Sequence, residues 1–153
     1  MKNSVILASL FFSSVSFADC PDLSSSTKNC RSMTGQINGS IDQVISQEKI
    51  NGETTYTITS TSPKSGETVT KTLIADGKSR REMEVDENSG ITLLTVTTVR
   101  CLENSLLSHE TSFIDGQFLG IMDVETSKSQ NKVTSVYEGI RWGRDVDDTI
   151  VCE

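Results

Sequence analysis

A chain of 153 residues with 21 acidic against 14 basic side chains carries a formal net charge of −7, which argues against nucleic acid and anionic lipid as partners, since both reward clustered Lys and Arg. Only 5% of the residues are aromatic, yet Thr recurs at alternating positions beside Val, Ile and Leu, the mark of half-solvated strands rather than of disorder. The length suits one domain with one core.

Residues 1–18 read as a cleaved secretory signal. Lys2 supplies the positive start, Val5 to Phe12 form an apolar run too short to span a bilayer comfortably, and Ser16 and Ala18 place small residues at the cleavage positions. An uncleaved anchor fits less well, because Ser13, Ser14 and Ser16 interrupt the run. Asp19 before Cys20 argues against a lipoprotein signal. Cleavage leaves residues 19–153 as a single β-barrel domain with 13 basic residues, a net charge near −8.

Residues 19–32 are polar and turn-rich, and read as an irregular arm held by a disulfide. Met33 to Asn38 alternates as a short first strand ending in an Asn38-Gly39 turn. Ile41 to Ile50 has helical spacing behind Ser40 but is flanked by Asn-Gly pairs on both sides; strand is favoured over a short helix. Thr54 to Ser60 sets Tyr56 and Ile58 against Thr55, Thr57 and Thr59. Pro63 to Gly66 makes a turn, Glu67 to Ala75 a strand, and Asp76-Gly77 is the strongest two-residue hairpin signal in the chain. Lys78 to Val85 alternates, and the loop from Asp86 to Gly90 leads to the most regular stretch. There, Gly90 to Cys101 and Ser105 to Ile114 form a hairpin around Leu102-Glu103-Asn104, and Asp115-Gly116 opens a further strand from Leu119 to Ser127. A turn over Ser129 to Lys132, a strand from Val133 to Trp142, a loop from Gly143 to Asp147 and a final strand through Cys152 complete the chain.

The fold class expected is all-β: an antiparallel up-and-down meander of about eight to ten strands, with sequential strands as neighbours. Closing into a barrel, fully or nearly, removes the two exposed edges. This architecture resembles the calycin barrels, the group of lipocalins and fatty-acid-binding proteins, and more loosely small secreted bacterial β-barrel proteins. The resemblance implies a small-ligand cavity. It carries over no ligand residues, because Gln36 and Ile37 follow Gly35 where a lipocalin has Gly-x-Trp, and no helix pair follows strand one.

Cys20, Cys30, Cys101 and Cys152 lie outside the signal and read as two disulfides of an oxidising compartment, secreted or periplasmic. Three connectivities are open; the one preferred is Cys20 with Cys30 and Cys101 with Cys152. No C-x-x-C spacing exists, so no metal site and no cofactor are expected. His109 alone could serve as a catalytic base, but no Gly-x-Ser-x-Gly elbow accompanies it, and an ordinary strand histidine and no enzyme are expected. If Met83 and Val85 point inward, Arg81 does too, as an anchor for a carboxylate or phosphate head group; the alternative is a solvated strand end or a cross-strand ion pair. Tyr137, Glu138, Arg141 and Trp142 form the densest aromatic and charged cluster. Trp142, sharing a face with Val136, Glu138 and Ile140, fills the barrel floor or mouth by packing or, less simply, stacks on a ligand. Asp145, Asp147 and Asp148 lack the glycine and terminal glutamate of an EF-hand and read as a solvated turn. Asn38-Gly39-Ser40 matches a glycosylation acceptor.

The function these readings support is a monomeric barrel holding a small apolar or amphipathic ligand, with Arg81, Tyr137 and Trp142 as candidate contacts. The alternative is an envelope protein-interaction or inhibitor module with a packed interior. Membrane insertion is not expected, given Thr- and charge-rich faces and no aromatic girdles.

Overall fold

The computed structural model describes residues 19–36 and 40–153. The signal at 1–18 and the Asn38-Gly39 turn with its glycosylation acceptor therefore lie outside the described residues, wholly or in part. Ten antiparallel strands form one sheet: β1 (Ser25–Ser32), β2 (Ile41–Ile50), β3 (Glu53–Thr61), β4 (Thr68–Ile74), β5 (Ser79–Val85), β6 (Thr92–Cys101), β7 (Ser105–Ile114), β8 (Gln117–Ser129), β9 (Lys132–Arg141) and β10 (Arg144–Cys152). The order β4-β3-β2-β1-β10-β9-β8-β7-β6-β5 curls through 303°, so the barrel is nearly closed. Ile41–Ile50 is strand along its whole length.

Consecutive strands are neighbours with one exception. The first and last strands pair, and the opening lies between β4 and β5, which the Asp76-Gly77 turn connects without making them a hairpin. The reason lies in where that turn sends its hydrogen bonds. Ala75 donates to the Thr54 carbonyl and Gly77 to the Val99 carbonyl, both at 2.9 Å, so the segment bridges β3 to β6 and closes the barrel only at its lower end. Both Asp76 carboxylate oxygens accept from the Arg80 guanidinium, at 2.7 and 2.9 Å. Lys78 adds an ion pair to Glu53 on β3 at 3.1 Å. Arg80, with Lys78, holds the Asp76 carboxyl well below the usual carboxylate range. A carboxyl depressed in the folded state contributes stability that is full above its unfolded pKa of about 4 and is lost as pH falls below it. Replacing Asp76 by Asn should therefore lower stability at neutral pH and flatten its decline below about pH 4, as read by urea midpoints across pH; an unchanged acid limb would remove Asp76 from this role.

The polar arm is shorter than expected. Residues 19–24 are irregular, but 25–32 form β1, whose inward residues Thr27 and Cys30 are three apart rather than two. A register shift between them, with Asn29 at φ 52°, breaks the alternation that would reveal a strand. The expected strand from Met33 does not form over its described part: residues 33–36 are bends, with Met33 exposed and Gly35 at φ 77°. Asp148 holds this segment. Its carboxylate accepts from the Ser32 hydroxyl and from the Thr34 N–H at 3.1 Å. The acidic run is thus no solvated turn: it lies within β10, the loop shrinks to Trp142-Gly143, and Asp148 is fully buried.

The disulfides join Cys20 to Cys101 and Cys30 to Cys152, correcting the preferred pairing. Cys101 and Cys152 end β6 and β10, four strand spacings apart along the wall, roughly 19 Å. Cys30 and Cys152 meet instead across the β1–β10 seam, and Cys20 staples the arm under β6. The core fills the lower half of the barrel, around Leu23, Ile45, Tyr56, Leu73, Val99, Leu106 and Val133. The arm is its plug: Leu23 is buried, Tyr56 Oη donates to the Pro21 carbonyl at 2.7 Å, and Lys128 Nζ reaches the Ser24 carbonyl.

Candidate functional site

Above this plug the barrel is hollow. A cavity of about 830 Å³ opens at the end where β5, β7 and β9 finish. Its walls come from alternate residues of successive strands: Leu93 and Thr95 on β6, Ser112 and Ile114 on β7, Met122 on β8, Val146 and Ile150 on β10. Leu119 joins them through an irregularity. The register shifts between Ser112 and Phe113, so Phe113 pairs Phe118 while Ser112 pairs Gly120. The additional residue, Leu119, turns into the mouth and is buried. Beside it, β8 and β9 approach so closely that a Cβ on Gly120 would lie 2.2 Å from the Ile140 carbonyl oxygen and one on Gly139 2.1 Å from that of Ile121.

The floor is polar. Glu110 on β7 forms an ion pair across the interior with Lys71 on β4 and accepts from the Ser108 hydroxyl at 3.1 Å. Tyr137 borders the same space, its phenol pKa raised by burial first and then by the carboxylates of Glu110 and Asp148. The cavity thus offers aliphatic walls above hydroxyl and carboxylate groups, the pattern of a small-molecule site. Along β7, four residues from Glu110 to Ile114 give a depth of about 14 Å.

The structure brings Tyr137 and Trp142 to this cavity but not Arg81. The inward face of β5 is the opposite one. Glu84 lines the cavity, Arg80 and Glu82 line the narrow slit towards β4, and Arg81 and Met83 are exposed away from it; Val85, at the strand end, is exposed but borders the cavity mouth. Alternation alone favoured the apolar Met83 and Val85 as the buried set. At an unpaired barrel edge the charged set can face inward because Glu82 and Glu84 stay exposed to solvent and Asp76 and Glu53 supply counter-charges to Arg80. Leu119 and Met122 were missed as a lining because the shift between β7 and β8 hides which parity points inward.

Trp142 stands at the mouth, 63% exposed, in the two-residue turn between the paired Arg141 and Arg144. Its φ is 55° and that of Gly143 is 68°. The equivalent positions in three other tight turns hold Asn51, Asp115 and Gln130; Asn and Asp tolerate left-handed backbone, whereas other side chains, Trp among them, cost about 1–2 kcal/mol there. His109 lies on the outer wall away from the cavity, its Nδ1 2.6 Å from Asp123 Oδ1. Among the described residues no cluster of three His, Cys, Asp or Glu side chains could hold a metal, and no helix is long and apolar enough to cross a membrane.

Comparison with protein-family models, with curated proteins and with solved structures finds no match to this chain.

Proposed function

We propose that this protein is a secreted or periplasmic carrier or scavenger that holds one small, amphipathic molecule in a cup plugged at one end. The observation that carries the reading is the apolar-walled cavity of about 830 Å³ above a packed and stapled floor. That size falls among pockets for drug-sized ligands. Two disulfides suit an oxidising compartment, as does the signal-like start of the chain. The likeness to calycin barrels belongs to this proposal as shared architecture, not as ancestry.

Native mass spectrometry of the exported, oxidised protein tests the reading. An adduct of a few hundred daltons that survives gentle ionisation and is lost on denaturation is the expected result. A bare protein that also fails to take up hydrophobic probes would remove the carrier reading.

A second reading, docking to an envelope protein, is favoured by the outer wall near the mouth. Met83, Leu94, Phe113 and Phe118 form one row across β5 to β8, with Met83 and Phe118 largely exposed and the two phenylalanine rings packed edge to face at 6.1 Å. An apolar row outside a strand wall marks a contact surface when it is contiguous.

A further inference from the structure

Three residues at the mouth, Arg141, Trp142 and Arg144, each carry a local cost. Arg141 and Arg144 are directly opposed across the β9–β10 hairpin, where like charges repel. Among the described residues neither guanidinium forms an ion pair. Between them Trp142 holds a left-handed conformation suited to Asn or Asp, with its ring exposed at the rim. Arg141 and Trp142 both line the cavity. Opposed like charges also occur in the row Asp123, Glu138 and Asp147, and Gln130 too holds a left-handed turn position, but those residues lie away from the cavity. At the mouth the same features border the open interior, where a bound anion would compensate them.

We propose that Arg141 and Arg144 form the head-group site of the cup, and that its ligand is a single-chain amphiphile with an anionic head, a carboxylate or a phosphate monoester. The chain descends between Leu93, Met122 and Ile150, and the head stays at the rim. There the two guanidiniums neutralise it with charge-assisted hydrogen bonds, and Trp142 covers the junction of head and chain. Arg is suited to both heads, because its planar fork matches either oxyanion. Asp86 lines the cavity too, and its carboxylate turns to its own loop: its Oδ1 accepts from the N–H groups of Asn88 and Ser89 at 2.8 and 3.0 Å. Glu84 also lines the cavity, and it sets the alternative that the test must exclude, a cationic head.

This inference rests on the cup reading, and four probes of equal chain length separate the two. Dodecanoate, dodecyl phosphate, dodecanol and dodecyltrimethylammonium are titrated below their micellar concentrations into the oxidised full chain, with calorimetry and the emission of the sole tryptophan as readouts. The expected result is that both anions bind about tenfold or more tightly than the alcohol, that salt weakens them, and that Trp142 emission shifts to the blue. In the double variant Arg141→Gln/Arg144→Gln that preference is lost while the affinity for dodecanol stays unchanged, which also shows the cup to be folded. The balance between dodecanoate and dodecyl phosphate identifies the head. Equal binding of alcohol and anions, or tighter binding of the cation, would overturn the head-group site and leave the cup standing. Failure of all four probes to bind would overturn both.

Discussion

Replacing Cys30 and Cys152 together by Ala should destabilise the protein by about 4 kcal/mol, more than any single surface change, and lower its melting temperature by about 10 °C or more. The seam that this bridge crosses is weak. The register between β1 and β10 covers only Arg31 with Val151 and Ser32 with Ile150, supplemented by bonds from Lys28 to the Glu153 carbonyl and from Met33 to the Thr149 carbonyl. The bridge closes a loop with a sequence separation of 122, so it removes a large share of the unfolded chain's freedom in the loop-entropy account. Both sulfurs are buried, and Ala avoids placing unpaired hydroxyls in the core. The pair Cys20→Ala/Cys101→Ala should behave differently, since it releases the plug rather than the seam. A smaller loss of melting temperature, with faster exchange of the buried Leu23 amide, is the expected signature. Equal losses for the two pairs, without local exchange, would contradict the separation of seam and plug.

Tyr56 carries the second large effect. It is 0% exposed at the centre of the lower core, and its hydroxyl ties the plug to β3 through the Pro21 carbonyl. Tyr56→Ala should cost about 3–5 kcal/mol by leaving a void in the packed core beneath the open cavity, and Tyr56→Phe about 1 kcal/mol. Burial pushes the phenol up to about 12, with a smaller contribution from the Asp22 carboxylate. The folded state therefore favours the neutral phenol, so its contribution is full below the unfolded pKa of about 10 and is lost as pH rises from there towards 12. Urea midpoints across pH 9 to 12 should fall more steeply in the wild type than in Tyr56→Phe; the difference isolates Tyr56 from Tyr137, which titrates in both proteins. Parallel curves would mean that the Tyr56 phenol is not protected as the structure has it.

Much of the fold was legible because turn chemistry and alternation agree over most of the chain. Asn51-Gly52 and Asp115-Gly116 mark hairpins that the structure contains, and the run from Gly90 to Ile114 pairs as a regular antiparallel ladder. Legibility failed where backbone irregularity or long-range pairing decides. The shift at Asn29 hides β1, and the one at Leu119 hides the parity of the cavity wall. Asp76-Gly77 has the composition of a hairpin, but the N–H groups of Ala75 and Gly77 donate to β3 and β6 rather than across a β4–β5 ladder. No local signal announces that β1 pairs β10, and with that pairing unknown the disulfides could not be assigned. Tyr137 and Trp142, which line the cavity, were legible as candidates because aromatic side chains beside charges are rare in this Thr-rich chain. Arg81 was misplaced because alternation names two faces without saying which is inside.

Methyl NMR on the methionines tests most directly whether the interior above Glu110 takes up a ligand. Met122 lines the cavity, whereas Met83 stands on the outer wall at 68% exposure. On titration with dodecanol, which engages the cavity without a charged head, the Met122 methyl should shift and show contacts to the chain protons, while the Met83 methyl stays fixed. A shift at Met83 with Met122 unmoved would place the binding surface on the outer wall and contradict the cup.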